Sequence, residues 1–344
     1  DTAVLQYTGG TTGVSKGAQL LHKNLVANMM QVRELIVDIL DGDREIMIAP
    51  LPLYHIYAFT VSLVMSDMGH EMVLIPNPRD IPGFVKELSK HKFSSFAGLN
   101  TLFVALCNNK EFNELDFSHL KHTISGGMAL TEAAAATWQK VTGCQIQEAY
   151  GLTETSPAVS FNPYRDIRIG TIGKVVTGTE VKVIGEDGSD LGFDQEGELC
   201  VRGPQVMAGY WQRPEATAEV IDAEGWFKTG DVAILAEDGF IRLVDRIKDM
   251  INVSGFNVYP NEIDDIASQH PGILECAAVG VPNQVSGETV KLFVVKSDPN
   301  LTADDVISHC REHLTAYKVP KEVEFKDDLP KTNVGKILRR ALRD

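Results

Sequence analysis

The chain has 344 residues, 44% of them apolar and 23% charged, a balance that argues against a disordered chain and suits two or three folded domains with a sizeable core. Its formal net charge of −15 argues against a nucleic-acid binder, whose footprint is basic. Phosphates on small molecules stay open, because a few local donors suffice to bind those.

In chain order, residues 3–7 read as a buried strand. A glycine- and hydroxyl-rich loop follows, Tyr7-Thr8-Gly9-Gly10-Thr11-Thr12-Gly13-Val14-Ser15-Lys16-Gly17, and then a helical pattern over 25–37. Glycines allow several backbone N–H groups to point into one concavity, threonine and serine hydroxyls add donors, and Lys16 adds charge, which together can wrap a polyphosphate. The spacing is not that of the common P-loop. Gly13–Gly17 also matches the G-x-S-x-G elbow of a serine hydrolase. That reading needs a later acid and histidine, whereas His270, His309 and His313 fall in a separate C-terminal region.

Residues 46–65 lack Asp, Glu, Lys and Arg and approach membrane-spanning length, but Pro50 and Pro52 break them and His55 sits in the middle. They read as a buried strand, a turn and a buried helix. Further strands over 45–49, 71–75, 93–97, 123–125 and 146–149 alternate with helices over 81–91 and 130–141, the latter opening beside Thr131 and stopping at Gly143. This alternation predicts an α/β domain with a mostly parallel sheet and flanking helices. Between 170 and 244 the strands shorten and turn signals appear at Glu186-Asp187-Gly188 and Glu237-Asp238-Gly239, which reads as a small antiparallel β-subdomain. After the charged run 245–249 come a helix over 260–270, strands over 277–281 and 291–296, and a helix over 302–314 capped by Thr302 with Asp305 three residues on. The expected division is therefore 1–168, part of a large α/β domain; 169–244, the β-subdomain; 245–249, a hinge; and 250–344, a mobile C-terminal α+β domain.

Cys107, Cys144, Cys200, Cys276 and Cys310 form no C-x-x-C pair, and such an odd, scattered set suits core thiols in a reducing compartment. Residues 1–25 lack the apolar run of a signal peptide. The expected location is cytoplasmic. The basic cluster Lys331, Lys336, Arg339, Arg340 and Arg343 leaves peripheral membrane contact open, although a charge run is usually a solvated face.

The glycine-rich loop resembles the phosphate loop of the adenylate-forming superfamily, which holds acyl-CoA synthetases, peptide-synthetase adenylation domains and luciferases. Further matches occur in the family's order. Tyr150-Gly151-Leu152-Thr153-Glu154-Thr155 resembles its adenine and Mg²⁺ motif, and Thr229-Gly230-Asp231 its ribose motif. The run 245–249 with Ser254-Gly255-Phe256 resembles its hinge and thiol-channel loop, and Pro330-Lys331-Thr332-Asn333-Val334-Gly335-Lys336 its C-terminal lysine motif. The run 225–255 is similar to the signature of fatty acyl-CoA synthetases, and Asn77-Pro78-Arg79-Asp80-Ile81-Pro82 and Pro204-Gln205-Val206-Met207 closely resemble bacterial long-chain fatty acid–CoA ligases.

The resemblance implies ATP-dependent activation of a long-chain fatty acid to an acyl-adenylate, followed by transfer to CoA. It implies ATP, Mg²⁺ and CoA as cofactor and substrates and no nucleic-acid partner, with homodimerisation left open. Negative charge crowds at the phosphates in such a reaction, so cations and N–H donors must gather there. By the same resemblance Thr8, Gly9, Gly10, Thr11, Thr12, Gly13 and Lys16 hold phosphates, and Glu154 holds Mg²⁺. Gly126, Gly127, Tyr150, Gly151 and Thr153 form the adenine site, while Asp231 and Arg246 hold the ribose. Lys336 neutralises charge where carboxylate meets α-phosphate, from a flexible-looking Asn333-Val334-Gly335 loop. His55 stands at the mouth of the acyl pocket, residues 98–103 line it, Lys248 is the hinge, and Gly255 and Phe256 admit the thiol arm. On the residues alone, Glu154 also reads as a capping or surface carboxylate, Tyr150 and His55 as core residues, Gly230-Asp231 as a turn and Lys336 as a solvated tail lysine.

Family members carry a further portion of comparable size ahead of the phosphate loop, which this sequence lacks. The expectation is that the full-length protein is an enzyme while this length of chain is inactive or domain-swapped, with a sheet edge and apolar surface to cover. Two alternatives remain: an acyl-adenylate ligase that loads a carrier protein, and a silent nucleotide-binding module.

Overall fold

Seven strands form the largest sheet, in the order Glu71–Leu74, Ile46–Ala49, Ser95–Gly98, His122–Gly126, Ile146–Gly151, Ala158–Phe161 and Lys174–Val175. The first five are parallel and the last two antiparallel. Strands covered on both faces need unbroken runs of apolar or small residues. Ser95–Gly98 and His122–Gly126 supply them and are buried along their whole lengths. Trp138, fully buried on the helix Glu132–Thr142, packs its ring 5.1 Å from Phe96, 4.8 Å from Phe103 and 5.6 Å from Phe112, and its Nε1–H donates to Thr123 at 3.2 Å. The cap predicted for this helix is present, since Thr131 Oγ1 accepts from the Ala134 N–H at 3.3 Å. The computed structural model describes residues 1–8 and 15–343.

The first strand departs from expectation. Thr2–Thr8 does not join the parallel sheet but pairs antiparallel with Lys16–Leu21, with Thr8 opposite Lys16, and the helix His22–Ile36 starts only after that second strand. No residue of Thr2–Thr8 is fully buried, and Tyr7 is 60% exposed. The second strand explains this: Ala18 and Leu20 are fully buried while Gln19 and Leu21 are only partly so, the alternation of a ribbon with one covered face. The glycine-rich segment therefore links two strands of a hairpin rather than a buried strand and a helix.

The helix His22–Ile36 presents buried amides as well as apolar side chains. Asn24 Nδ2 donates to the carbonyls of Pro204 (2.7 Å) and Val206 (2.9 Å), Asn28 exchanges bonds with the Ala158 backbone (2.8 and 2.9 Å), and Gln31 donates to the Thr177 carbonyl (2.7 Å). Those to Pro204, Val206 and Thr177 satisfy backbone outside any strand, and they fix the path of residues 204–206.

A four-stranded sheet follows, in the order Glu180–Ile184, Glu196–Arg202, Phe227–Leu235 and Ile241–Arg246, its first pair antiparallel. The last sheet has the path Phe256–Val258, Ile251–Val253, Gly287–Lys296 and Ile273–Asn283, with Glu322–Phe325 parallel to Gly287–Lys296. The helices Pro260–Ser268 and Ala303–His313 pack on it through Ile263, Ala267, Val306 and Cys310. Thr302 and Asp305 form the expected capping box, each side chain bonded to the other's N–H at 3.2 and 3.0 Å. The chain divides into two compact units, one of Asp1–Leu130, Ala135–Thr229 and Ala233–Leu243, the other of Thr131–Ala134, Gly230–Val232 and Val244–Asp344. All five cysteines are free and buried. Among the described residues no helix is long and apolar enough to cross a membrane.

Candidate active site

In the first unit, neighbouring parallel strands end at Gly126-Gly127 and Tyr150-Gly151, the carboxyl edge where open α/β sheets bind ligands. Gly126 lies under the Tyr57 ring, which a Cβ there would meet at 3.4 Å, and Gly127 adopts φ +87°. Tyr57 Oη donates to the Ile124 carbonyl at 3.2 Å, and burial pushes its phenol far above the usual range. Tyr150 is 8% exposed and packs with Val159, Ile172, Leu199 and Val201, so most of its ring is core.

Gly151 has a stricter constraint. A Cβ there would stand 2.0 Å from the Pro157 carbonyl oxygen, which is backbone and cannot swing aside. Gly151→Ala is expected to destabilise the protein by about 2 kcal/mol or more, read as a lowered melting temperature. An unchanged melting temperature would mean that the strand and the following turn can separate.

The 3₁₀ turn Thr153–Thr155 aims Glu154. Its Thr155 Oγ1 accepts from the Leu152 N–H at 3.0 Å. The next residue, Ser156, sits at φ +67°, held by Thr60 Oγ1 donating to its carbonyl (2.9 Å) and by its own hydroxyl donating to the Gln205 carbonyl (2.8 Å). Glu154 is 9% exposed, and its Oε1 accepts from Tyr210 Oη at 2.8 Å. Burial and then the Glu154 charge raise the Tyr210 phenol far above its usual value, so it stays a donor. The Lys16 ammonium lies 5.0 Å from the centre of the same ring. The loop carrying Tyr210 is bonded to the hairpin, with Gln19 N–H to the Gly209 carbonyl at 2.9 Å and Trp211 N–H to the Gly17 carbonyl at 2.8 Å. Lys16 and Glu154, expected at the phosphates and the metal, thus meet on one tyrosine that the sequence analysis did not identify. Its signal was weak, a single tyrosine in a loop after the strand Glu196–Arg202.

Thr8 Oγ1 donates to the Lys16 carbonyl at 3.4 Å. Gly9, Gly10, Thr11, Thr12 and Gly13 lie outside the described residues. His55 caps the helix Ile56–Asp67, its Nδ1 accepting from the Tyr57 N–H at 3.3 Å. In the segment read as acyl-pocket lining, Phe103 is fully buried against Trp138 and closes over Gly98, whose Cβ position is 2.8 Å from it.

The second unit holds Asp231, Arg246, Lys248, Gly255, Phe256 and Lys336. Asp231 is 3% exposed, with Arg246 Nε 3.3 Å from its Oδ1. The loop before Lys336, expected to be flexible, is a closed turn. Thr332 N–H donates to the Lys336 carbonyl (2.8 Å), Gly335 N–H to the Thr332 carbonyl (2.9 Å), and Gly335 takes φ +84°, the left-handed conformation that a glycine adopts without strain. Burial, and then repulsion from Arg246, lower the Lys336 pKa to about 8 against the pull of Asp231. Lys336, Arg246 and Asp231 therefore share one electrostatic neighbourhood. Lys248 lies in the 3₁₀ turn Ile247–Asp249. Gly255 has φ +86° and donates to Asn252 Oδ1 at 2.9 Å, while Phe256, 55% exposed, stacks on Tyr317 with centroids 4.7 Å apart.

The basic C-terminal cluster is not merely solvated. Lys331 bonds Glu275 at 2.7 Å, Arg339 bonds Asp264 at 2.7 Å and Arg343 approaches Asp249 at 3.4 Å. Among the described residues no three His, Cys, Asp or Glu side chains gather to hold a metal. A Mg²⁺ ion that keeps phosphate and water ligands needs only one or two protein carboxylates, and the donor chemistry of Glu154 fits that.

Residues 1–211 match the AMP-binding enzyme family and residues 262–336 match the AMP-binding enzyme C-terminal domain. The long-chain-fatty-acid–CoA ligase of Escherichia coli O157:H7 is 57% identical over 100% of this chain, which spans 62% of that protein's length. Several solved structures resemble the whole chain, two of them as follows. Anthranilate CoA ligase AuaEII in complex with anthranoyl-AMP superposes with a TM-score of 0.92 at 29% identity, 67% of its chain being covered. ATP-bound MatB from Rhodopseudomonas palustris superposes with a TM-score of 0.88 at 33% identity, 68% of its chain being covered.

Proposed function

Because the chain belongs to the AMP-binding enzyme family, we propose that the full-length protein is a long-chain-fatty-acid–CoA ligase of the AMP-forming type. The fatty carboxylate oxygen attacks the α-phosphorus of ATP, the bond to the β-phosphate bridge breaks, and pyrophosphate leaves. The CoA thiolate then attacks the acyl carbonyl of the adenylate, AMP leaves, and the thiol proton passes to solvent. The observation that carries the substrate class is the identity to fatty acid ligases along the entire chain.

In this reading the Lys16 ammonium together with Thr8, Gly9, Gly10, Thr11, Thr12 and Gly13 takes the phosphates, where anionic charge concentrates. Glu154, oriented by Tyr210, would hold Mg²⁺, which supplies positive charge to the phosphate oxygens. The glycine pair 126–127, Tyr150, Gly151 and Thr153 border the adenine. Asp231 accepts from the ribose hydroxyls with Arg246 beside it, and Lys336 offsets the charge that two anions bring together as they react. His55 stands near the acyl carboxylate. Lys248 is the hinge between the portions 1–244 and 250–344, and the left-handed turn at Ser254-Gly255, with Phe256 beside it, admits the thiol arm. The test is pyrophosphate release by the intact protein with ATP, CoA and a panel of carboxylic acids. Long-chain saturated and monounsaturated acids should exceed short-chain and aromatic acids by about a hundredfold in kcat/KM, given the area each added methylene buries. A preference for an aromatic acid, or no pyrophosphate with any acid, refutes the reading.

A further inference from the structure

The turn that carries Lys336 runs on into Arg339, whose side chain is 20% exposed. We propose that Arg339 is a positioning residue for adenylation, locking the Lys336 turn to the segment that bears Arg246 so that the lysine is held at a fixed place relative to Arg246 and Asp231. The inference rests on the function proposed above.

A continuous set of bonds makes the connection. Arg339 Nη2 donates to Asn261 Oδ1 at 2.9 Å and to Asp264 Oδ2 at 2.7 Å. Asp264 Oδ1 accepts from the Ala278 N–H at 2.6 Å, which ties the arginine to the sheet. The Asn261 N–H donates to Asp245 Oδ2 at 2.8 Å, and Asp245 Oδ1 accepts from the Arg246 N–H at 2.7 Å. Arg246 in turn reaches Asp231 at 3.3 Å. Both oxygens of Asp264 and both of Asp245 carry a donor, so the carboxylates are fixed in orientation. Burial pushes the Asp264 carboxyl up to about 6 and raises that of Asp245, and the Arg339 charge opposes burial at both. Without Arg339 both carboxyls would tend to protonate, weakening the hold of Asp264 on the Ala278 N–H and of Asp245 on the N–H groups of Asn261 and Arg246. Stability alone gives a poor account of the arrangement, since buried ion pairs can often be replaced by apolar pairs without loss.

The experiment uses the intact protein and three variants: Arg339→Met, Arg339→Lys and the double variant Arg339→Met/Asp264→Leu, which removes both charges together and so preserves folding. Four quantities are measured: carboxylate-dependent ATP–pyrophosphate exchange, thioester formation from supplied acyl-adenylate and CoA, melting temperature, and the pH midpoint for trinitrobenzenesulfonate labelling of Lys336, followed at the peptide level. Exchange kcat should fall about ten- to a hundredfold in Arg339→Met and in the double variant, the usual loss for a displaced reacting group, with ATP KM and the thioester step changed less than about threefold. The double variant should recover melting temperature but not exchange. Arg339→Lys should restore part of the exchange, since both Arg339 bonds leave a single nitrogen that an ammonium can imitate. The Lys336 labelling midpoint should move up from about 8 towards that of a solvated lysine as its turn loosens. Exchange that recovers together with melting temperature, or a labelling midpoint that stays put, overturns the proposal. If the wild type lacks exchange with every acid while the midpoint still moves in the variants, the proposed function fails and the clamp on Lys336 stands.

Discussion

Lys336→Ala should cut the adenylation half-reaction by about a hundred- to a thousandfold, the range for removing one preorganised charge from a phosphoryl-transfer site, or about 3–4 kcal/mol of barrier. Thioester formation from supplied acyl-adenylate should stay within a few-fold, because that step transfers no phosphoryl group. Equal loss of both half-reactions would sink this division of labour. The pH dependence carries the same argument. In the proposed role Lys336 acts as an ammonium, and in the free protein its pKa is lowered to about 8 by burial and by Arg246. As pH rises through that value the charge is lost, so kcat/KM for ATP should fall on the alkaline side, since it reports the free enzyme. With ATP bound, the phosphate anions favour the charged form, and kcat should hold to higher pH. Lys336→Arg should flatten the alkaline fall, because a guanidinium stays charged throughout. Arg246→Gln should move the fall upward by removing repulsion, and Asp231→Asn should move it downward by removing attraction. Shifts in the opposite directions would show that another group controls the profile.

The sequence carried the parallel sheet well. Ile46–Ala49, Ser95–Gly98 and His122–Gly126 are short, small or apolar runs between helical periods, and such runs have few other places to go than a sheet covered on both faces. The Thr302 capping box was legible because all of its partners lie within three residues. Thr2–Thr8 was misjudged because its apolar residues look the same in a buried strand and in a half-covered hairpin; its partner, Lys16–Leu21, lies beyond the glycine-rich segment. The helix His22–Ile36 hides its main task for a related reason. Nothing near Asn24, Asn28 and Gln31 in sequence signals their task, yet they bond backbone more than a hundred residues away. The ion pairs of the basic tail were not legible because Glu275, Asp264 and Asn261, which take up Lys331 and Arg339, are distant in sequence. Periodicity and caps are local and can be read from the chain, whereas a hydrogen bond across the fold cannot. Tyr210 belongs to the second kind, 56 residues from the carboxylate that it orients.

That tyrosine sets the terms of the second large effect. Glu154→Gln keeps an acceptor for the Tyr210 hydroxyl, and so keeps the local fold, but removes the negative charge a divalent cation needs. It should lower adenylation by about a hundredfold or more and raise the Mg²⁺ concentration for half-maximal rate, with melting temperature unchanged. Tyr210→Phe does the reverse. It leaves the charge of Glu154 but frees Oε1 to turn, and it leaves Lys16 facing an aromatic ring of similar size. Its cost should be about tenfold, the scale for losing one hydrogen bond to a charged group. Since the hydroxyl acts only through the carboxylate, the double variant should be no worse than Glu154→Gln alone. Binding of Mn²⁺ to the intact protein with ATP, followed by electron paramagnetic resonance, offers a readout that does not depend on turnover. Affinity should drop strongly in Glu154→Gln and weakly in Tyr210→Phe. Additive losses in the double variant would mean that Tyr210 acts on the phosphates through Lys16 instead. Unchanged Mn²⁺ affinity in Glu154→Gln would remove Glu154 from the metal and leave it a carboxylate that braces the loop around Met207, whose N–H its backbone carbonyl already holds at 2.8 Å.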